Sequence, residues 1–458
     1  MGKIFKNYNE AVSFIESLSN ISPGHERRQP ATAKKHLNRV KKFLAFLGNP
    51  EKKLKIIHIA GTSGKGSVAV MLHSIFLKAK KNIGLYTSPH TTTYCERFKA
   101  GGNFISEKEL VRLTNFLKDK MDEFTVNFNT QASSLNFFEF TFCLALLYFT
   151  EKKCEYCVIE TGCGGRFDST NAIEKTAYVV ITNIGRDHVD IFKNLKNIAY
   201  EKSGIIKKGA PTLTGEKNKR WLRVFLREAK RVKSDLRNAN HKDIKNLKVG
   251  LEGTRFEYMG NNYRLRLLGG HQAKNAVLAI NCAKDMGIGI SAIKKGLEEA
   301  EYPARLEVLS KKPLIIIDGA HNSDKIRAAI DFINISRLAQ NGKRYLILAM
   351  AKNKKAKSPI SCLMEYFDHI YLTRFSNPFR KANNFADWQK IFGEKFAKTS
   401  KKKIYYKHHA TDALLDILPK LGNNDLLLIT GSIFLAGDLR KYWYPEEKII
   451  KFRNSTKR

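Results

Sequence analysis

Seven residues, set between a strand-like run and a helix-like run, carry the groups that a polyphosphate needs. Residues 61–67 read Gly-Thr-Ser-Gly-Lys-Gly-Ser. The glycines let backbone N–H groups turn inward, Lys65 supplies a cation, Ser67 supplies a hydroxyl suited to Mg²⁺, and a helix N-terminus behind them favours negative charge. Gly64, Lys65, Gly66 and Ser67 are therefore the expected phosphate-binding set, and ATP the expected cofactor. Residues 56–60 are β-rich, and Val68, Met71, Leu72, Ile75, Phe76 and Ala79 follow at helical spacing. The loop departs from the ordinary G-x-x-x-x-G-K-[ST] pattern because Gly66 separates Lys65 from the hydroxyl residue.

Other chemistry-bearing groups sit where strands are expected to end. A run at 83–86 leads into Thr87-Ser88-Pro89-His90. A second, at 157–159, ends in Glu160 and a glycine-rich turn over 161–171. A third, at 177–182, ends in Asn183-Ile-Gly-Arg-Asp187-His188. Open parallel sheets place ligands at such C-terminal strand ends. Carboxylate and imidazole donors beside a triphosphate suggest Mg²⁺ or Mn²⁺. Each residue also has a structural reading: Glu160 as a helix cap, His188 as a hydrogen-bonded core histidine, Lys202 as a solvated lysine.

The elements that must position these groups require a large fold. At 458 residues and 43% hydrophobic content the chain is expected to form two folded domains. The longest apolar run, 137–149, is too short to span a bilayer and contains Glu139. With no secretory signal expected at the start, a cytoplasmic protein without a membrane partner is the reading. The seven cysteines are scattered, with one C-x-x-C at Cys154 and Cys157, and are read as reduced thiols. The formal charge of +38 would draw polyanions. Its lysines are dispersed without interleaved aromatics, so nucleic acid is not the expected partner.

Residues 1–50 look helical. The stretch 212–268 loses periodicity and gains charge, with short alternating runs at 255–258 and 263–267 that suggest a small antiparallel piece. A helix is expected from Gly269-Gly270 onward. Residues 302–307 look like a linker, and strands at 314–317, 345–350, 369–372, 404–406 and 426–430 then alternate with helical segments, which argues a second α/β domain.

Taken together these motifs resemble the Mur ligase superfamily, and within it the folylpolyglutamate synthase and dihydrofolate synthase branch. The matching pieces are His58-Ile-Ala-Gly-Thr-Ser-Gly-Lys-Gly-Ser67, Thr87-Ser-Pro-His90 with Glu96-Arg97, Phe138-Glu139, Glu160-Thr-Gly-Cys-Gly-Gly-Arg166 with Asp168-Ser-Thr-Asn171, Thr182 to His188, Glu201-Lys-Ser-Gly-Ile205, His271-Gln272 with Asn275-Ala276, Arg305-Leu-Glu307 and Asp318-Gly-Ala-His-Asn322. The glycine after Lys65 is that branch's own form of the loop. Ser63, Thr91, Cys163, Phe167, Ser169 and Ala304 depart from the branch's usual residues, and the resemblance implies that Phe167 and Thr91 would border the pterin side.

The resemblance implies an α/β fold: a P-loop Mur-ligase-like domain with a mostly parallel sheet over residues 1–302, and a smaller Rossmann-like α/β domain over 303–458. It implies that ATP phosphorylates a carboxylate of dihydropteroate or a reduced folate, after which L-glutamate attacks the acyl phosphate in a monomeric enzyme. Lys65, Lys202 and His188 become the catalytic set. Ser88 and Glu160 would hold one Mg²⁺, and Glu160, His188 and a carbamylated Lys202 the second. Asn275, Arg305, Asp318 and His321 would contact the nucleotide, while Asn136, Phe137, Phe138, Glu139, Phe167, Asp168 and Ser169 would lie near the pterin. Two alternatives stay open: a ligase of the same fold acting on a cell-wall precursor, and a basic P-loop ATPase stimulated by nucleic acid.

Overall fold

A computed structural model of the chain describes residues 4–21, 30–127, 135–186, 189–336, 338, 341–352, 357–377, 380–392 and 403–455. These pack as two compact units. One comprises 1–243, 274–299 and 450–454; the other comprises 244–273, 300–449 and 455–458. Where the sequence reading places one boundary after 302, the packing interleaves two further segments, because 244–273 goes with the later unit and 450–454 with the earlier.

The first unit is built on eight strands: β1 (Lys55–Ala60), β2 (Ile83–Tyr86), β3 (Phe98–Ala100), β4 (Asn103–Phe104), β5 (Tyr156–Glu160), β6 (Tyr178–Ile181), β7 (Thr212–Thr214) and β8 (Leu236–Asn238). Their order across the sheet is β4-β3-β2-β5-β1-β6-β7-β8. From β2 to β8 all pairings are parallel, and β3 and β4 close one edge antiparallel. β6 is apolar throughout and β1 is buried from Ile56 to Ala60, with His58 its one polar buried side chain, because a parallel sheet covered on both faces buries both sides of its central strands. β1 lies between β5 and β6, so Ala60, Glu160 and Ile181 end side by side.

The weak periodicity of 212–268 conceals regular structure in its first half, 212–243. β7 and β8 extend the parallel sheet, joined by the helix Lys219–Val232. That helix buries Trp221, Phe225 and Ala229 against Val179, Ile181 and Ala199. Six Lys and Arg residues on its outer surface hide the apolar stripe from a reading by composition. The antiparallel piece begins later, as β9 (Lys245–Gly250), β10 (Gly253–Tyr258) and β11 (Asn261–Leu265).

The second unit also carries a six-stranded sheet ordered β12-β13-β17-β14-β15-β16, formed by Glu307–Lys311, Leu314–Ile317, Leu426–Thr430, Arg344–Leu348, His369–Leu372 and Lys403–Tyr406 respectively. All pairings are parallel except β12 with β13. Its core joins Ile316, Leu346, Ile370 and Leu428 to helix residues Ile326, Leu363 and Trp388, with Val249 and Leu251 packed against it. That apolar contact is why 244–273 belongs here. Both units are α/β with mostly parallel sheets, as the motifs imply. Among the described residues no helix is long and apolar enough to cross a membrane.

Candidate active site

The helix Lys65–Lys78 begins immediately after Gly64, whose φ of +86° places it in the left-handed region that favours glycine. A side chain there would also meet the Asn275 amide, since a Cβ would lie 2.3 Å from Asn275 Oδ1. The structure thus brings Asn275 against the phosphate loop. The first intrahelical bond runs from Val68 N to Gly64 O at 2.9 Å. The N–H groups of Lys65, Gly66 and Ser67 precede it, in the turn that an anion caps.

The loop is held from behind by the exit of β6. Thr62 N donates to Asn183 O at 2.9 Å and Ser63 N to Asn183 Oδ1 at 2.9 Å. Thr182 Oγ1 donates to Ser63 O at 2.6 Å, and Gly185 N donates to Thr62 Oγ1 at 3.0 Å. Gly61 must be glycine, because a Cβ would sit 1.8 Å from Thr182 Oγ1. The sequence marked 182–183 as a polar strand end; that these residues serve as the loop's backing is a tertiary fact.

Glu160, at the end of β5, is buried next to this loop. Lys65 Nζ lies 3.9 Å from Glu160 Oε1, and Ser88 N donates to Glu160 Oε2 at 3.2 Å. Lys202 is buried at the end of the helix Leu195–Ser203 and donates to Gly61 O at 2.7 Å. Gly164 and Gly165 let the turn after Glu160 lie on that helix: a Cβ on Gly165 would meet Glu201 O at 2.6 Å and Lys202 Cα at 3.1 Å. Lys65, Ser88, Glu160, Lys202 and Asn275 all line or border one phosphate loop. His188 lies outside the described residues.

The donor set suits a hard divalent cation. Mg²⁺ typically takes one or two protein oxygens and fills its remaining positions with phosphate oxygens and water. A carboxylate and a serine hydroxyl on adjacent strand ends beside a phosphate loop fit that requirement. Among the described residues no three His, Cys, Asp or Glu side chains converge, so the fit rests on the Ser88–Glu160 pair.

The residues expected near the pterin divide into two kinds. Asn136 and Glu139 form a capping box on the helix Phe137–Glu151: Asn136 Oδ1 accepts from Phe138 N and Glu139 N at 3.1 Å each, and Glu139 Oε2 accepts from Asn136 N at 2.9 Å. Glu139 is also paired with Arg39. Asp168 caps the turn Ser169–Ala172, accepting from Thr170 N at 3.0 Å, Thr170 Oγ1 at 2.6 Å and Cys163 N at 2.8 Å. Burial pushes its carboxyl up from the usual range. These three carboxylate and amide groups are engaged in local structure, and their capping chemistry explains their types.

The aromatics and Ser169 remain half-buried. Phe138 packs over Gly162, where a Cβ would lie 2.5 Å from the ring. Phe137 is edge-on to Tyr94 at 6.2 Å and stacked by the Arg97 guanidinium at 5.1 Å. The N–H of Phe167 bonds the Glu201 carboxylate.

Arg305, Asp318 and His321 cluster in the second unit. Asp318 Oδ2 accepts from Leu306 N and Oδ1 from Ala320 N, both at 2.8 Å. Burial raises its carboxyl, with nearby Arg305 opposing. Arg305 lies over the Tyr302 ring at 4.5 Å, and His321 Nδ1 bonds Gly319 O at 2.9 Å.

Comparison with known proteins agrees with this geometry. Residues 59–283 match the Mur ligase middle domain and 304–433 the Mur ligase, glutamate ligase domain. Over 455 residues the chain is 32% identical to the dihydrofolate synthase/folylpolyglutamate synthase of Bacillus subtilis, covering 96% of this chain and 99% of that one. It is 32% identical to the folylpolyglutamate synthase of Lacticaseibacillus casei, over 71% of this chain and 76% of that one. Among solved structures, the Thermotoga maritima folylpolyglutamate synthase superposes with a TM-score of 0.78 at 28% identity, covering 96% of this chain and 97% of that one. The Mycobacterium tuberculosis folylpolyglutamate synthase complexed with ADP and AMPPCP does so with a TM-score of 0.82 at 25% identity, covering 95% and 99%. With both Mur ligase domains matched and 96% of its length aligned to a relative of that name, the chain belongs to the folylpolyglutamate synthase/dihydrofolate synthase family of Mur ligases.

Proposed function

We propose that this enzyme is an ATP-dependent amide-forming ligase that joins L-glutamate to dihydropteroate, to reduced folates, or to both. The observation that carries the reading is the Lys65–Glu160 pair at 3.9 Å beside the phosphate loop, in a chain aligned end to end with a relative of that name. A carboxylate resists nucleophiles at neutral pH until its oxygen becomes part of a good leaving group. In the first step a carboxylate oxygen of the pterin substrate attacks the γ-phosphorus of ATP, and the bond to ADP breaks. In the second the glutamate amine attacks the acyl carbon, the bond to phosphate breaks, and the amine loses its proton.

Lys65 and the N–H groups of the first helical turn would bind and orient the phosphates and offset charge that develops on the transferred group. Mg²⁺ held by Ser88 and Glu160 would supply charge neutralisation between the two anions. A second Mg²⁺ involving Glu160, His188 and Lys202 requires carbamylation of Lys202, which would turn its amine into an oxygen donor. The half-buried rings of Phe137, Phe138 and Phe167, with Ser169, would face the pterin. For Arg305, Asp318 and His321 the proposed role is contact with the nucleotide, and it rests on the resemblance. A cytoplasmic, monomeric enzyme without a nucleic-acid partner goes with this reading.

ADP release with dihydropteroate, tetrahydrofolate or a muramyl precursor, each with and without L-glutamate, tests it. Turnover that needs both a pterin and glutamate is expected. Turnover with the muramyl precursor alone, or stimulated by RNA and indifferent to glutamate, would overturn it.

A further inference from the structure

Glu216 follows β7 at the start of a lysine-rich stretch that the sequence leaves unread, and it is 5% exposed. Its carboxylate accepts two backbone N–H groups, Ile184 on Oε2 at 2.6 Å and Asn218 on Oε1 at 2.7 Å. Its own backbone is fixed as well. Glu216 N donates to Thr214 Oγ1 at 3.1 Å, and Glu216 O accepts from Asn238 Nδ2 at 2.9 Å. One carboxylate therefore ties the exit of β6 to the exit of β7.

A buried carboxylate is costly unless its oxygens are hydrogen-bonded, and bonds from backbone N–H to an ionised acceptor are among the stronger ones. Capping the helix Lys219–Val232 does not require this arrangement, because Asn218 Oδ1 already accepts from Arg220 N at 2.9 Å. The Ile184 bond points the other way, into the segment that backs the phosphate loop. Its neighbours Asn183 and Gly185 hold Thr62 and Ser63. The phosphate loop is thus fixed to 182–185, and 182–185 is fixed to Glu216.

We infer that Glu216 is a positioning residue for nucleotide binding, acting through Ile184 on the loop at 61–67. The inference rests on the proposed placement of ATP in that loop. It says nothing of which acid accepts glutamate, so its test needs no pterin.

The test is direct calorimetric binding of ADP and of a non-hydrolysable ATP analogue to the full chain, with Tm measured alongside. Glu216→Gln keeps one acceptor oxygen but turns an NH₂ group toward the other backbone N–H. It is expected to weaken nucleotide binding on the order of 10- to 100-fold, the scale on which ångström misplacements act. Glu216→Asp keeps the charge on a side chain one methylene shorter and is expected to fall between Gln and wild type. Asn218→Ala removes only the helix cap, and is expected to lower Tm with Kd unchanged. Glu216→Gln that behaves like Asn218→Ala, with lower Tm and wild-type Kd, overturns the inference. Should Glu216→Gln fail to fold, wild-type affinity in Glu216→Asp overturns it. A wild-type chain that binds neither nucleotide overturns the ATP site itself, and the inference with it.

Discussion

The amine of Lys202 donates a 2.7 Å hydrogen bond to the carbonyl oxygen of Gly61, across 141 positions of sequence. The last turn of the helix Leu195–Ser203 is thereby joined to the first glycine of the phosphate loop. Carbamylation would leave one N–H on Nζ, so the bond to Gly61 is compatible with the oxygens of a carbamate beyond it. Lys202→Ala is expected to lower kcat on the order of 10²-fold or more, the scale of removing one electrostatic stabiliser, with partial recovery on adding small carboxylates. Initial rates with and without added carboxylate measure this. A full rate in the Ala variant at saturating Mg²⁺ would rule out the carbamate.

Gly64 makes a separate prediction about the loop's shape. Its φ of +86° costs an L-residue about 1–2 kcal/mol, and a methyl would meet the Asn275 amide. Gly64→Ala should abolish detectable nucleotide binding with only a modest fall in Tm. The double variant with Asn275→Ala should recover part of the lost Tm, because the contact is gone and only the backbone strain remains. Thermal melts with and without ADP separate the two effects.

Much of this site was legible because its groups lie at strand ends, and strand ends are marked by local signals. Apolar runs stop, and Gly61, Ser88, Glu160 and Asn183 follow. That β1 sits between β5 and β6, bringing Glu160 to Lys65, follows from pairing across a hundred residues and leaves no local trace. Asn136, Glu139 and Asp168, expected near the pterin, have polar atoms that also cap local turns. An Asn with Glu three residues later before an apolar run is the written form of a capping box, so that signal stands in the sequence beside the family motif. Glu216 was obscured by charge, since the basic outer face of Lys219–Val232 masked the β–α–β rhythm around it.

In the second unit, Arg440 is wholly buried and forks onto Glu307, with Nε 2.8 Å from Oε2 and Nη2 2.8 Å from Oε1. Glu307 Oε2 also accepts from Ala304 N at 2.9 Å, and Ala304 has a φ of +52°. The pair therefore holds the strained turn that carries Arg305. Removing one partner of a buried pair leaves the other charge stranded and costs about 3–5 kcal/mol. Arg440→Ala should lower the melting temperature of this unit on the order of 10 °C. It should also raise KM for ATP if Arg305 contacts nucleotide. Arg440→Lys, which cannot fork, should recover little of either.

Acid stability depends on histidines that the first unit buries uncharged. Burial pushes His58 down to about 3, with Lys207 adding repulsion, while its Nε2 bonds Thr170 Oγ1 at 2.8 Å. Burial and Lys99 push His73 well below its ordinary value too. Burial and Lys217 push half-buried His241 down to about 4. In the unfolded chain all three take up a proton near pH 6.5, and in the fold they do not. The unfolded state therefore binds more protons below pH 6.5, and stability is present above that pH and lost as pH falls toward the folded values. Each fully buried histidine contributes a slope of roughly 1.4 kcal/mol per pH unit. Asp168 and Glu201, whose carboxyls burial raises, act oppositely, gaining protons on folding as the pH drops toward their range. Urea denaturation between pH 7.5 and 5, run on wild type and a His58 variant side by side, reads that histidine's share of the slope, because the carboxyl contributions are common to both. His58→Asn should flatten that slope by about one proton, and an unchanged slope would show that His58 titrates normally in the fold.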